Sequence, residues 1–178
     1  MSRVWVHDKP KYGGDTSYAI GMDWLANCQS VEDWGCSLQY AKRFCKPAYT
    51  GVDGTAADGF DIKVRDLSAY VTRTPGLFMR HVLEHNASWR QVLSNALESF
   101  TERMALITFT DFAKTEQVAE HKPHKRPDWD HLRLPEAELL QTLKPFVHSV
   151  TKLEPDTSQN RKFHEHIFLL QKWPTTPS

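Results

Sequence analysis

The chain has 178 residues, of which 40% are hydrophobic, so it is long enough for one globular domain and too short for a second full one. Its 22 basic and 22 acidic side chains balance to a net charge of zero, and we therefore do not expect a nucleic acid partner. No apolar run reaches the roughly 18 residues that span a bilayer, and the first residues are polar, which predicts a cytoplasmic protein without a membrane span.

The first half of the chain is predicted to alternate helices and strands. Apolar residues in 17–28 favour a helix, because the segment is long and has no proline. A short buried strand at 31–34, a helix at 38–44 and a second strand at 48–52 follow it. Residues 61–67 alternate polar with apolar side chains and predict a third strand after a turn.

The second half continues the alternation. Residues 77–83 form an apolar run suited to a central parallel strand that passes into a helix near Glu84. Residues 88–100 place their apolar side chains on one helical stripe, and a fifth strand follows at 104–109. A helix at 135–146 precedes two strands, 147–153 and 161–172, whose polar connection is long enough for antiparallel pairing.

These elements predict an α/β fold: a doubly wound, Rossmann-like sheet of seven strands, mostly parallel with an antiparallel last strand. We expect a single domain over 1–178, with a cap segment at 1–17, a substrate-side loop at 111–134 and a loose tail at 173–178. Such sheets bind ligands beyond the carboxyl ends of their strands.

The first two strands carry a ligand-binding pattern at these ends. Asp33-Trp34-Gly35 closes the first strand and Asp53 closes the second, as in βαβ units that bind the ribose of a nucleoside. The first turn has one glycine and not the G-x-G-x-x-G that seats a dinucleotide pyrophosphate, so a dehydrogenase is not indicated. The G-x-x-x-x-G-K-S/T cradle of nucleoside triphosphatases is absent from the sequence as well.

Four motifs in register carry a family resemblance: Glu32-Asp33-Trp34-Gly35, Gly51-Val52-Asp53, Asp66-Leu67 and His81-Val82-Leu83-Glu84-His85. Over residues 17–172 the chain resembles class I S-adenosylmethionine-dependent methyltransferases. The last motif is similar to that of the branch acting on small molecules, quinones and glycan intermediates. The resemblance implies a methyltransferase that uses S-adenosylmethionine, releases S-adenosylhomocysteine and acts on a small-molecule or glycan-type acceptor.

The resemblance also implies roles for individual residues. Asp53 matches the acid that accepts hydrogen bonds from the ribose hydroxyls, and Asp33, or Glu32 beside it, matches the acid near the ammonium group. Asp66 and Leu67 match the pair that meets the adenine. The predicted cofactor-binding residues are Asp33, Gly35, Cys36, Ser37, Asp53, Gly54, Asp66, Leu67 and Arg80.

The glycine-rich turn departs from the family pattern. Ser37 and Gln39 stand where the family has its second and third glycines. Serine is small enough to keep the close backbone approach, but the glutamine side chain must point away from the pocket or crowd it. A catalytically silent, cofactor-binding relative therefore stays open as an alternative.

Methyl transfer needs a nucleophile held in line with the methyl group, and a base only where the nucleophile is poor. We expect His81 as the base for a hydroxyl acceptor and Arg80 as the cation that orients the acceptor; a purely structural role for His81 is an equal alternative. His81, Glu84 and His85 share a helical face, but the Glu-His pair is usually structural in this family, so no metal site is predicted.

Acceptor specificity is expected from segments outside the sheet, 1–17 and 111–134, which can fold over the strand ends. Their predicted lining residues are Tyr12, Asp111, Phe112 and Trp129. An enzyme acting on protein or nucleic acid is the alternative, although no long basic binding module is evident. Whether the protein is a monomer or a homodimer stays open.

Overall fold

The computed structural model describes residues 13–121, 130–154 and 164–172, and it contains a seven-stranded sheet. The strands of this sheet are β1 (Ser30–Trp34), β2 (Ala48–Asp53), β3 (Ile62–Val64), β4 (Thr74–Arg80), β5 (Phe100–Thr108), β8 (Val147–Lys152) and β9 (His166–Gln171). Their order across the sheet is β3-β2-β1-β4-β5-β9-β8. The α-helices are α1 (Thr16–Trp24), α2 (Trp89–Ser99) and α3 (Glu136–Leu143).

The pairing of the strands confirms the predicted fold class. The pairs β1–β2, β1–β4, β2–β3 and β4–β5 are parallel, whereas β9 runs antiparallel to both β5 and β8. From β1 the chain therefore adds strands toward one edge of the sheet, and from β4 it adds strands toward the other edge. The carboxyl ends of β1 and β4, where this reversal occurs, are the switch point at which open α/β sheets bind ligands.

Side chains of the central strands alternate between two hydrophobic cores, one on each face of the sheet. Leu77 and Met79 of β4 point into the core covered by α2 and α3, and Phe78 between them points into the core covered by α1. All three are buried almost completely. This two-sided burial explains why the strands read as continuous apolar runs.

Helix α1 packs closely against the sheet at Gly21. A Cβ atom on Gly21 would stand 2.6 Å from Cε2 of Phe78 and 3.2 Å from Cβ of Ala105. Gly21 and the small Ala105 thus permit a close approach that larger side chains would prevent.

Some predicted bounds were wrong. The predicted helix at 38–44 is a short 3₁₀ segment, Tyr40–Phe44, because Gln39 enters it with a left-handed φ of 55°. The third strand ends at Val64, since Asp66 already accepts from the backbone of Ser68 in a turn. Strand β4 starts three residues earlier than predicted and β5 four residues earlier.

The predicted loop 111–134 contains a second, two-stranded sheet. Strand β6 (Gln117–His121) pairs antiparallel with β7 (Asp130–Arg133). The predictions for 1–12, 122–129, 155–163 and the tail 173–178 lie outside the described residues. Among the residues that are described, no helix is long and apolar enough to cross a membrane.

Candidate functional site at the ends of β1, β2 and β4

The backbone after β1 and β4 adopts left-handed conformations. Within the described ranges, the non-glycine residues with positive φ are Ser37 at 47°, Gln39 at 55° and His81 at 58°, and all three follow these two strands. Each such conformation costs about 1–2 kcal/mol for a residue with a Cβ atom. Strained backbone gathered at a switch point is typical of a functional site.

Gly35 connects the turn after β1 to the segment after β4. Its φ is 76°, and its N–H donates to the carbonyl of Val52 at 2.8 Å. A Cβ on Gly35 would stand 2.3 Å from Cγ2 of Val82. The position therefore requires glycine both for its backbone conformation and for the close approach of Val82.

Asp53 lies at the end of β2 and holds the turn after β1 by a hydrogen bond. It is 7% exposed; its Oδ2 accepts from the N–H of Ser37 at 3.0 Å and its Oδ1 from the N–H of Thr55 at 3.2 Å. Beside it, a Cβ on Gly54 would meet nothing within 4 Å. The carboxylate thus organises both turns next to open space.

Asp33 and Glu32 point to opposite faces of the sheet. Asp33 is buried and accepts from the hydroxyl of Tyr49, and burial, with a further contribution from the charge of Asp53, raises its pKa to about 7. Glu32 instead accepts from Nε1 of Trp34 and from Tyr70. Asp33 is therefore the acid that shares the site with Asp53.

The two non-glycine residues of the turn are accommodated differently. Ser37 keeps its backbone N–H on Asp53. Gln39 is 8% exposed; its Nε2 donates to the carbonyl of Asp61 and lies 2.8 Å from where a Cβ of Gly51 would be. Cys36 Sγ lies at the same distance from that point. The glutamine side chain is therefore packed between β2 and the residue preceding β3.

We expect Ser37→Gly and Gln39→Gly to change stability in opposite directions. Glycine at position 37 relieves left-handed strain and removes only a small, half-buried side chain, so the free energy of unfolding should rise by about 0.5 kcal/mol. Glycine at position 39 also removes a partly buried hydrogen bond and the packing against β2, so the free energy of unfolding should fall by about 1–2 kcal/mol. Urea unfolding of both variants measures this, and equal shifts would contradict it.

The turn that carries Asp66 and Leu67 is held by α2. Asp66 is exposed, and its Oδ1 accepts from the N–H of Ser68 at 2.9 Å and from its hydroxyl at 2.7 Å. Leu67 is 8% exposed in the α2 core, and its carbonyl accepts from Nδ2 of Asn95 at 2.9 Å. The carboxylate faces solvent while the leucine anchors the turn.

Arg80, at the end of β4, is buried by a network of its own. Its Nε donates to Oγ of Ser17 at 2.9 Å and one terminal nitrogen donates to the hydroxyl of Tyr18 at 2.9 Å. The other forms an ion pair with Glu165, which is fully buried just before β9. The guanidinium thereby joins β4, α1 and β9.

His81 shares the same glutamate. Its Nε2 lies 2.7 Å from Oε1 of Glu165, and its ring packs at 4.7 Å between centroids against Phe109. Burial, and next the charge of Arg80, lowers the pKa of His81 to about 4 despite the opposing effect of Glu165. Burial alone would raise the pKa of Glu165, but His81 and Arg80 outweigh it and lower the pKa to about 2.

Sequence reasoning missed Glu165. The only signal was its position between His164 and His166 at the start of an apolar strand, where a buried acid needs a partner. The partner is 84 residues earlier in the chain, so local pattern could not identify it.

The predicted acceptor-lining residues are only partly brought together. Oδ1 of Asp111 lies 3.3 Å from Nδ1 of His164, and Phe112 packs against the ring of His166 at 4.5 Å. Tyr12 and Trp129 lie outside the described residues. In the described part of the chain, no group of three or more His, Cys, Asp or Glu side chains is arranged to hold a metal ion.

Comparisons with known proteins define the fold. No family model and no curated protein matches the sequence. Among solved structures, the N-terminal domain of EvdMO1 with S-adenosylhomocysteine bound is similar, with a TM-score of 0.64 and 12% identity over 93% of this chain and 82% of that one. The 1,6-didemethyltoxoflavin-N1-methyltransferase of Burkholderia thailandensis gives 0.64 and 15% over 88% and 76%. Coclaurine N-methyltransferase gives 0.63 and 10% over 96% and 75%. The chain therefore has the class I methyltransferase fold.

Proposed function

We propose that this protein is an S-adenosylmethionine-dependent methyltransferase acting on a small-molecule or glycan-type acceptor. The observation that carries the proposal is the buried carboxylate of Asp53, which organises the turn after β1 at the switch point of this fold. The similar structures named above, all three with S-adenosylhomocysteine bound, support the cofactor.

The charges of the site fit a cationic ligand. Asp53 lies close enough to Asp33 for its charge to raise the pKa of Asp33, which is desolvated as well. S-adenosylmethionine carries a sulfonium and an ammonium cation. Either charge near these two acids compensates their mutual repulsion, which favours binding.

The residues that would hold the cofactor are those at the strand ends. Asp53 would accept from the ribose hydroxyls, Asp33 would face the ammonium group, and Asp66, whose carboxylate faces solvent, would meet the adenine amine. The turn of Gly35, Cys36 and Ser37 would lie under the methionine part, with Gly54 beside the ribose. When bound, the cofactor supplies an electrophilic methyl group.

The chain itself must position the acceptor and exclude water. The lowered pKa of His81 leaves its imidazole unprotonated at neutral pH, so the ring is in the form that can accept a proton. Its position at the end of β4, beside this region, supports its proposed role as base. The guanidinium of Arg80 already has Ser17, Tyr18 and Glu165 as partners. These contacts support a role in holding the end of β4, and orienting an acceptor would require Arg80 to release one of them.

The replacement of two family glycines by Ser37 and Gln39 left a catalytically silent, cofactor-binding relative as an alternative. The backbone at these residues weakens the case for that alternative. Both residues adopt the left-handed φ that glycines would adopt, and Ser37 still reaches Asp53 through its N–H. The backbone therefore follows a path that retains the carboxylate contact.

Calorimetry with S-adenosylhomocysteine tests the proposal. We expect binding by the wild type and a roughly 10- to 100-fold loss of affinity in Asp53→Asn, because a charged acceptor contributes about 1.5–3 kcal/mol. Asp58→Asn, at an exposed acid five residues further on, is the matched control and should bind like the wild type. A folded wild type that releases no heat at high micromolar ligand would contradict the proposal.

A further inference from the structure

Glu165 and His81 form a hydrogen-bonded pair just after the end of β4. Oε1 of Glu165 lies 2.7 Å from Nε2 of His81 and also receives the guanidinium of Arg80. None of the glutamate side chain is exposed, and 12% of the histidine side chain is. The glutamate is thus fully enclosed, whereas a small part of the histidine reaches the surface.

The partner of Nε2 decides where the imidazole carries its proton. Burial raises the pKa of Glu165, but His81 and Arg80 more than reverse this effect, so Glu165 is an ionised carboxylate at neutral pH. An ionised carboxylate only accepts hydrogen bonds, so Nε2 must donate. In neutral His81 the lone pair then resides on Nδ1.

Nδ1 is the nitrogen of His81 that can accept a proton from an acceptor. No other described residue hydrogen-bonds to it, and it is not among the buried polar atoms without partners. The groups that face the ring are Arg80 from β4, Glu165 from the segment before β9, His131 from β7 and the ring of Phe109. Among these, only Glu165 favours a positive charge on His81.

We propose that Glu165 is a positioning residue that holds His81 with its proton on Nε2, so that Nδ1 serves as base toward a hydroxyl acceptor. The left-handed φ of His81 supports this, because the end of β4 maintains a strained backbone that presents the ring to Glu165. Ser17 and Tyr18 hold Arg80, which keeps the carboxylate in place. The proposal rests on the proposed methyl transfer.

The chemical step balances without a further reactant. The acceptor oxygen bonds to the methyl carbon as the carbon–sulfur bond of the sulfonium donor breaks, and that electron pair goes to sulfur. The hydroxyl proton passes to Nδ1, and the charge of Glu165 offsets part of the cost that burial and Arg80 impose on the resulting imidazolium. A thiolate or carboxylate acceptor would need no such base.

Nitrogen NMR of the free protein, labelled with ¹⁵N-histidine, tests the pair without cofactor or acceptor. Comparison with His81→Asn assigns its signals among the nine histidines. At pH 7 we expect His81 to show a protonated Nε2 with a far-downfield proton and an unprotonated Nδ1. Glu165→Gln should lose the downfield proton and move both nitrogens toward values of exchanging tautomers.

Glu84→Gln is the matched control. Glu84 is an equally buried glutamate, three residues from His81, whose Oε1 accepts from the N–H of Phe109. Its substitution should leave the His81 signals in place. A wild-type His81 protonated on Nδ1, or on both nitrogens, at pH 7 would overturn the inference, and this result does not depend on whether Glu165→Gln folds. Equal His81 signals in Glu165→Gln and Glu84→Gln would overturn it as well. S-adenosylhomocysteine binding separately decides the proposed function.

Discussion

Replacing Gly35 by alanine is expected to lower the free energy of unfolding by about 2–4 kcal/mol, since the left-handed backbone costs about 1–2 kcal/mol and overpacking about as much again. The overpacking arises because the new Cβ would stand 2.3 Å from Cγ2 of Val82. Relief requires the turn after β1 to separate from the segment after β4, so S-adenosylhomocysteine binding should weaken too. Urea unfolding measures the first effect and calorimetry the second.

Gly54→Ala is the control for this substitution. Gly54 follows β2 in the same site, has no left-handed φ, and a Cβ there would meet nothing within 4 Å. Its free energy of unfolding should stay within about 0.5 kcal/mol of the wild type, as for substitutions away from packed features. If Gly35→Ala were as stable as Gly54→Ala, the close approach of Val82 would not constrain the turn.

His81→Asn is expected to lower turnover by about 10²- to 10⁴-fold, the usual contribution of a positioned base. Asparagine tolerates the left-handed φ of 58° at this position but has no basic nitrogen, so the fold should persist while the base is lost. Affinity for S-adenosylhomocysteine should change little. The measurement is S-adenosylhomocysteine formation with the best acceptor from a panel of hydroxyl, amine and thiol compounds.

The control for His81 is His148→Asn, on the exposed side of β8. Its ring packs against Trp24 at 4.5 Å, away from Glu165. Turnover of this variant should match the wild type. Unchanged turnover in His81→Asn would remove the histidine from the mechanism and restore the structural role left open by the sequence.

The sheet was predictable because its strands are buried on both faces. Residues such as Phe78 and Met79 contribute to different cores, so the sequence reads as an uninterrupted apolar run with little ambiguity. The first connection was harder to predict. Residues 38–44 have helical composition, but the left-handed φ of Gln39 leaves only a 3₁₀ segment. The composition and periodicity of 38–44 do not indicate this strained backbone at its start.

The site was predictable where each residue follows its own strand. Asp33, Gly35 and Asp53 are placed by local register, so their grouping follows from parallel pairing of β1 with β2. Glu165 was not predictable, because its contact with His81 depends on β9 being inserted next to β5. Long-range antiparallel insertion determines that neighbour, and no local spacing encodes it.

The close packing of α1 against the sheet determines how far the protein can be shortened. Ser17 and Tyr18 belong to the same helix as Gly21 and supply two of the partners of the Arg80 guanidinium. A fragment that begins at β1 would leave this cation buried without them and would expose the apolar face against which α1 packs. Expression fragments or fusion junctions should therefore be placed before Thr16, so that the partners of Arg80 and the cover of this apolar face are retained.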